Sequence, residues 1–251
     1  MSEDDRQIEI DVGDELVAGT LVRPHARTPG VLFVHGWGGD RAQYLARAHE
    51  IAKLGCVALT IDLRGHGRAR GHREQITRED NLADVLAAFD VLASTRGVDP
   101  EAIAIVGSSY GAYLAAIATS LRPVRWLGLR APALYEEGDW HAPKHQLDRV
   151  ALHAYRRRVH RPDANRALAA CAKFEGDVLV VASEHDDVVP HATIESYVKA
   201  CGRVRSLTYL VIDGADHGLS TDDARRAYTA ILVGWVQNTM LGAPRARSAK
   251  P

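Results

Sequence analysis

AIAIVGSSYGAY, residues 102–113, is the stretch of sequence that decides the fold of this chain. The apolar run before the glycines predicts a buried strand, and the Ala-rich run after them predicts a buried helix. Gly107 and Gly111 flank Ser109 at equal distances, and small residues are needed at both positions because strand and helix approach closely there. The pattern therefore predicts that Ser109, and not its neighbour Ser108, stands on a sharp strand-to-helix turn as a nucleophile.

Short β-type runs alternate with longer helical patterns along the rest of the chain. This alternation predicts βαβ units and a mostly parallel sheet with helices on both faces. The first two runs, separated by Gly13-Asp14, predict a hairpin. We expect strands at 8–12, 16–22, 31–34, 57–61, 102–106, 124–129, 178–182 and 207–212. We expect helices at 41–54, 79–96, 110–121, 191–201 and 221–240.

The 251 residues predict a single α/β domain with a central sheet of about eight strands. Its core is expected at about 7–130 and 175–241. The segment 131–174 is rich in His and Arg, is helical in part and lacks a strand pattern, which indicates a short cap inserted between two strands. The tail at 242–251 is expected to be disordered.

The charge balance, 31 Lys and Arg against 32 Asp and Glu, gives no reason to expect a nucleic-acid or membrane-surface partner. No apolar stretch approaches the ~18 residues of a membrane span, and the acidic N-terminus does not resemble a signal peptide. A cytoplasmic location is therefore expected.

Neither a metal nor a cofactor is expected from the sequence. Cys56, Cys171 and Cys201 are scattered and form no zinc or disulfide pattern. The histidines of the cap segment (His141, His145, His153 and His160) follow no zinc spacing either. No dinucleotide fingerprint or P-loop is present, so no nucleotide cofactor is implied.

Two further loops follow predicted strands and carry an acid and a base. Asp186 lies after the strand at 178–182, with Glu184 and Asp187 close by, and His217 follows the last strand within Ala-Asp-His-Gly. Loops at the carboxyl ends of strands are where open α/β sheets place their ligands. The chain order serine, aspartate, histidine favours a triad in which His217 is the base and Asp186 its acid, with Asp187 left as an alternative.

A glycine-rich turn, HGWGG at 35–39, follows the strand at 31–34. Such a turn allows backbone N–H groups to point at a ligand. An oxyanion hole takes one donor from this loop and one from the residue after the nucleophile. The sequence therefore predicts that the N–H groups of Trp37 and Tyr110 form the oxyanion hole.

Together these stretches, with DLRGHG at 62–67, resemble small bacterial α/β-hydrolase-fold serine esterases over almost the whole chain. The run from Val98 to Tyr113 is also similar to the catalytic domains of prolyl-oligopeptidase-like serine peptidases. Dienelactone hydrolases carry a cysteine and haloalkane dehalogenases an aspartate at the position of Ser109, so neither activity is the first choice. In this fold, the segment DLRGHG resembles a structural turn, and His66 is not expected to be catalytic.

The resemblance implies a carboxylesterase acting on a small-molecule ester without a cofactor. The cap covers the nucleophile in this fold, so Tyr135 and Trp140 are candidates for the substrate pocket, although they could equally pack the cap onto the body. His35, in the glycine-rich turn, is a third candidate for the pocket. A peptidase, amidase or thioesterase with the same triad is the alternative. A non-catalytic binding protein is the alternative from another class, and the sequence is compatible with either a monomer or a homodimer.

Overall fold

The computed structural model describes residues 4–13, 15–23, 28–67 and 73–242. The strands are β1 (Asp4–Val12), β2 (Glu15–Arg23), β3 (Thr28–Val34), β4 (Val57–Ile61), β5 (Val98–Ser108), β6 (Trp126–Arg130), β7 (Asp177–His185) and β8 (Ser206–Asp216). The α-helices are α1 (Ala42–Lys53), α2 (Arg78–Ser94), α3 (Tyr110–Ala118), α4 (Arg149–Arg156), α5 (Arg166–Lys173), α6 (His191–Ala200) and α7 (Asp222–Trp235). The predicted disordered tail lies outside the described residues from position 243 onward.

The strands form one eight-stranded sheet in the order β1-β2-β4-β3-β5-β6-β7-β8. Strands β1 and β2 form the predicted antiparallel hairpin, with Gly13 in its turn at φ +64°. Strand β2 pairs antiparallel to β4, and every later neighbour pair is parallel. This confirms the predicted α/β class with a mostly parallel sheet of about eight strands.

Apolar side chains pack on both faces of the sheet, as continuous apolar strands require. One cluster lies under α1 and α7 and includes Tyr44, Ile51 and Leu232. The other lies under α2, α3, α5 and α6. Helix α3 is buried along its whole length, which is why its sequence is apolar on every side.

The helix ends follow the side chains and backbone angles available there. Helix α2 begins with a capping box, in which the Thr77 hydroxyl accepts from the Asp80 N–H while the Asp80 carboxylate accepts from the Thr77 N–H. Helix α1 ends just before Gly55, whose φ of +93° disfavours any residue with a Cβ. Helix α7 is shorter than predicted, because a π-helical turn, Val236–Met240, replaces its last residues.

The segment between β6 and β7 has two parts. Helix α5 packs against α3 and α6 and therefore belongs to the helical layer on the sheet. The residues before it, including α4 and three short 3-10 turns, make up the rest of the insertion that the sequence assigned to 131–174.

Candidate active site

Ser109 occupies a strained backbone position between β5 and α3. Its φ and ψ are +53° and −113°, outside the regions that L-residues normally adopt. A Cβ on Gly107 would collide with the backbone of Gly111 and Ala112. A Cβ on Gly111 would collide with the carbonyl oxygen of Val34. The two glycines therefore let the strand and helix close on each other and hold the serine at the turn.

Three side chains from three loops form one hydrogen-bonded chain. The Nε2 atom of His217 lies 3.0 Å from Oγ of Ser109, and its Nδ1 atom lies 2.7 Å from Oδ2 of Asp186. A carboxylate can only accept, so Nδ1 carries the proton and Nε2 is left to accept the serine proton. Ser109, His217 and Asp186 are thus brought together in the arrangement that the predicted triad requires.

The acid loop distinguishes Asp186 from its acidic neighbours. Besides His217, Asp186 receives the backbone N–H groups of Val188 at 3.0 Å and Val189 at 2.7 Å on Oδ1. Asp187 is exposed, and the Glu184 carboxylate accepts from the N–H of Gly214 at 2.6 Å. Among these three acids, the geometry therefore favours Asp186 as the partner of His217.

The glycine-rich turn at 35–39 lies directly against the serine. A Cβ on Gly36 would be 3.3 Å from Cβ of Ser109, and the N–H of Gly39 donates to the Gly36 carbonyl at 3.0 Å to close the turn. Strand β3 lies between β4 and β5, so the loops after β3 and β5 leave the sheet where its strand order reverses. Trp37 on this loop and Tyr110 at the start of α3 are therefore near the nucleophile, and their N–H groups remain the predicted oxyanion donors.

A cavity of about 460 Å³ opens beside Ser109 and His217. It lies between the 36–39 turn, helix α1 and helix α7, and its lining includes Tyr44, Arg47, Arg130 and Tyr228. No aspartate or glutamate is among the described residues that line it. The space next to the nucleophile is thus on the α1 and α7 side of the molecule.

The three candidate pocket residues of the sequence analysis are buried, and the described lining of this cavity does not include them. His35 is fully buried, with Nε2 accepting the N–H of Leu63 at 3.1 Å and Nδ1 2.8 Å from the Gly36 carbonyl. Burial lowers the pKa of His35, so it is a neutral structural ring under the turn.

Tyr135 is 2% exposed and packs on the ring of Tyr113, with the ring centroids 4.9 Å apart. Trp140 is 5% exposed, with the guanidinium of Arg78 from α2 5.6 Å from the centre of its ring. The two aromatic residues therefore anchor the insertion to the body.

Lys144 brings the insertion onto the glycine-rich turn. Its Nζ atom lies 3.9 Å from the centre of the Trp37 ring, with the rings of Tyr110 and Tyr135 at 5.1 and 5.2 Å. Burial lowers the pKa of Lys144 well below its usual value, and neighbouring arginines add to the effect. The lysine therefore packs against the Trp37 ring, and Trp37 also lines the cavity next to Ser109.

Sequence reasoning missed Arg47 and Arg130, the two buried arginines of the cavity. Arg130 ends β6, where the buried run WLGL is followed by a charged residue, and that break in an apolar pattern was the available signal. Arg47 lies among buried residues of α1. A buried charge within an apolar face is unusual enough to mark a candidate functional residue.

No cluster of three or more His, Cys, Asp or Glu side chains suited to a metal is found within the described ranges. Over the same part of the chain, none of the helices has the length and hydropathy needed to cross a membrane.

Comparison with known proteins identifies a family model and a relative that are similar to this chain in sequence. The model of the prolyl oligopeptidase family matches residues 40–242. The chain is 32% identical over 217 residues to an uncharacterized protein of Mycobacterium tuberculosis, a match that covers 84% of this chain and 72% of that protein.

Solved structures show the same fold at low sequence identity. Est1E from Butyrivibrio proteoclasticus with ferulic acid bound is similar at a TM-score of 0.73 and 18% identity, covering 93% of this chain and 99% of that chain. Pyrococcus horikoshii acylaminoacyl peptidase is similar at a TM-score of 0.70 and 16% identity, covering 96% of this chain and 42% of that chain. Both likenesses support the α/β-hydrolase fold.

Proposed function

The chain belongs to the prolyl oligopeptidase family and is a hydrolase of the α/β-hydrolase fold, and from that premise we propose that it is a serine carboxylesterase. Its substrates would be carboxylic esters of small to medium size. The observation that carries the proposal is the hydrogen-bonded chain from Ser109 through His217 to Asp186 at the edge of a cavity.

The first half of the reaction forms an acyl-enzyme. His217 accepts the proton of Ser109 at Nε2 as the serine oxygen attacks the ester carbonyl carbon. Asp186 keeps the proton of His217 on Nδ1 and stabilises the imidazolium. The N–H groups of Trp37 and Tyr110 would bind the oxyanion, and loss of one such donor typically costs ~3 kcal/mol of transition-state stabilisation. His217 then protonates the departing alcohol.

The second half releases the acid and restores the enzyme. Water enters the space that the alcohol has left and gives its proton to His217 as it attacks the acyl carbon. The serine oxygen leaves as the tetrahedral intermediate collapses, and His217 returns the proton to it. No cofactor takes part in this scheme.

A peptidase or amidase with the same triad is the second candidate, because the matching family model is that of the prolyl oligopeptidases. The cavity lining favours an ester over a peptide held by its amino terminus. An ammonium group would need a carboxylate as counter-charge, and the residues lining the cavity include two buried arginines and no acid. A thioester would react through the same steps as an ester.

The test is a time course of p-nitrophenyl acetate, butyrate and octanoate hydrolysis by the wild type and by Ser109→Ala. We expect a burst followed by turnover in the wild type and neither in Ser109→Ala, because the acyl-enzyme cannot form. Ser108→Ala is the matched control, since this serine is adjacent and is not hydrogen-bonded to His217. Equal rates in the wild type and Ser109→Ala would overturn the proposal.

Anilides with the same acyl groups separate the two candidate activities. A carboxylesterase should show kcat/KM on the esters far above that on the anilides, beyond the intrinsic difference in reactivity measured with hydroxide. A peptidase should instead turn over peptide anilides as readily as simple esters.

A further inference from the structure

The cavity beside Ser109 holds two buried guanidinium groups from different elements. Arg47 comes from α1 and is 9% exposed, and Arg130 ends β6 and is 4% exposed. Both line the cavity that also contains Ser109 and His217. Arginines are almost never fully buried unless they are paired.

Neither guanidinium forms an ion pair with a carboxylate within the residues that the structure describes. Within the part of the chain that the structure describes, the Nη1 atom of Arg47 donates to the Gln43 carbonyl of its own helix, at 3.2 Å, and its Nε–H has no acceptor. Arg130 donates to uncharged acceptors, namely the carbonyl of His217, the carbonyl of Asp216 at 3.1 Å and the hydroxyl of Ser183 at 2.8 Å. Its Nε–H also has no acceptor. Among the described residues, the carboxylates of Asp186 and Asp216 act on Arg130 from beyond ion-pair distance, and no carboxylate lies within that distance of Arg47.

The tyrosines around Arg47 lower the cost of its burial without removing the charge. Its guanidinium carbon lies 4.8 Å from the centre of the Tyr228 ring and 5.8 Å from that of Tyr44. Burial raises the pKa of both phenols, so they are neutral and supply no counter-charge. Arg225, at the rim of the same cavity, differs because its guanidinium already pairs with Asp222 at 2.5 Å.

We propose that this cavity binds an anionic group of the substrate, a carboxylate or a phosphate, and that Arg47 is the residue that selects it. The inference rests on the proposed function and narrows its substrate class to esters that carry a negative charge. A guanidinium fork matches the two oxygens of a carboxylate or phosphate. The negative charge would meet a buried guanidinium, where such a bond is stronger than at the surface.

The position of the cavity limits where the charge can lie on the substrate. Ser109 and Arg47 share one cavity of about 460 Å³, so the anion and the scissile carbonyl belong to one small molecule. The charge can belong to the acyl part, as in the half-ester of a dicarboxylic acid, or to the alcohol part. In both cases, the anion and the ester must lie close enough together to belong to one small molecule.

Arg47 is the residue to change, because Arg130 also holds the His217 loop and its removal would affect every substrate. Arg47→Gln removes the charge, and Arg47→Lys keeps the charge while it loses the fork. Arg226→Gln is the matched control, because this exposed arginine of α7 pairs with the exposed Asp223 of the same helix. It changes the net charge of the protein by the same amount without altering the cavity.

The first experiment measures binding without turnover. Calorimetric titrations of Ser109→Ala with succinate, glutarate and adipate are compared with their uncharged diamides, and inorganic phosphate is titrated as the simplest phosphate probe. We expect at least one dianion to bind ~10-fold or more tightly than its diamide, and Arg47→Gln to abolish that difference while Arg226→Gln keeps it. Equal affinities for every dianion and its diamide, with no binding of phosphate, would overturn the proposal whatever the enzyme does to esters.

The second experiment distinguishes the two positions of the charge. Wild-type kcat/KM is measured for 4-nitrophenyl pentanoate, 4-nitrophenyl hydrogen glutarate and 3-carboxy-4-nitrophenyl pentanoate. We expect kcat/KM for one charged ester to exceed that for the neutral ester by about tenfold. Arg47→Gln should lower kcat/KM for the charged ester only, and Arg47→Lys should recover it in part. Equal losses on neutral and charged esters in Arg47→Gln would contradict a selective role for Arg47.

The failure of this inference is separable from the failure of the proposed function. If fluorophosphonate labels Ser109 and neutral esters turn over while dianions do not bind, the hydrolase stands and the anion site falls. If dianions bind through Arg47 while Ser109 neither labels nor turns over any ester, the anion site stands and the carboxylesterase falls.

Discussion

Asp186 uses both of its carboxylate oxygens, one on the His217 ring and the other on two backbone N–H groups of its own loop. These bonds fix the direction of the carboxylate before a substrate arrives. The backbone of His217 is also held by hydrogen bonds, because Arg130 donates to its carbonyl and to that of Asp216. At the scale of single residues, the site is therefore preorganised by hydrogen bonds whose donor and acceptor atoms take no part in the reaction itself.

Arg130 is a positioning residue in this arrangement as well as part of the cavity. We expect Arg130→Lys to lower kcat on a neutral ester about tenfold to a hundredfold with little change in KM, because an ammonium cannot span the acceptors that the fork reaches. Stopped-flow and steady-state kinetics on p-nitrophenyl butyrate measure this split.

The control for Arg130→Lys is the thermal unfolding midpoint of the same variant. A loss of kcat at an unchanged midpoint supports positioning of the His217 loop. An unchanged kcat would contradict the role.

At the scale of elements, the site depends on how closely α3 approaches the loops after β3 and β5. Gly107 and Gly111 allow the approach, and the N–H of Ser109 donates to the Arg130 carbonyl at 2.8 Å, extending the pairing of β5 with β6 to the nucleophile. Tyr135 of the insertion packs against the rings of Tyr110 and Tyr113 at the start of α3. The elements that carry the chemistry are thus held by backbone contacts that leave no room for a side chain.

Gly111→Ala should be destabilising because its Cβ would overlap the carbonyl oxygens of Val34 and His35, which belong to backbone that cannot easily move. We expect a loss of about 1–3 kcal/mol in the free energy of unfolding, measured by urea denaturation. Gly234→Ala is the matched substitution inside α7, where a Cβ meets nothing within 4 Å.

The control should change stability in the opposite direction. A helical glycine costs about 0.5–1 kcal/mol relative to alanine, so Gly234→Ala should stabilise the protein by that amount. If both substitutions shift the urea midpoint alike, the close approach at Gly111 does not limit the fold.

At the scale of the whole molecule, one eight-stranded sheet divides two apolar cores and brings the working loops to the carboxyl ends of its parallel strands. The cores also enclose ionisable groups that have no role in the proposed reaction. His35 and His66 lie beneath Trp37, with their ring centroids 5.1 Å apart. Their protonation states link the stability of the molecule to pH.

Burial lowers the pKa of His66 from 6.5 to about 3, so the unfolded chain takes up a proton that the folded protein resists. The stability from this neutral ring is fully present above pH 6.5 and is lost as the pH falls from 6.5 towards 3. We expect the free energy of unfolding of the wild type to fall in this window, with a shallower fall in His66→Asn. Urea titrations at a series of pH values measure the slope.

The matched control is His145→Asn, the same substitution at an exposed histidine. The slope of its free energy of unfolding against pH should coincide with that of the wild type. Coincident slopes for the wild type and His66→Asn would show that the buried ring does not contribute to the loss of stability in acid.

The sequence by itself determined the class of the fold, the strand-to-helix turn at Ser109 and the loops that bear Asp186 and His217. These features could be predicted because each is written in contiguous residues: an apolar run, two glycines at a fixed spacing, or an acid or base directly after a strand. The choice of Asp186 over Asp187 was already favoured there, and the hydrogen bonds of the loop agree with it.

Only the tertiary structure decided which side of the nucleophile is open and what charge it meets. Tyr135 and Trp140 could have faced a substrate or the body, and in the structure they face the body. The sequence could not decide this, because the arginine and tyrosine side chains that they pack against are not their neighbours along the chain. Arg47, Arg130 and Tyr228 lie far apart in sequence and meet only when α1, β6 and α7 converge. Periodicity and spacing describe neighbours along the chain, so a cavity built from three separate elements leaves no pattern in a single sequence.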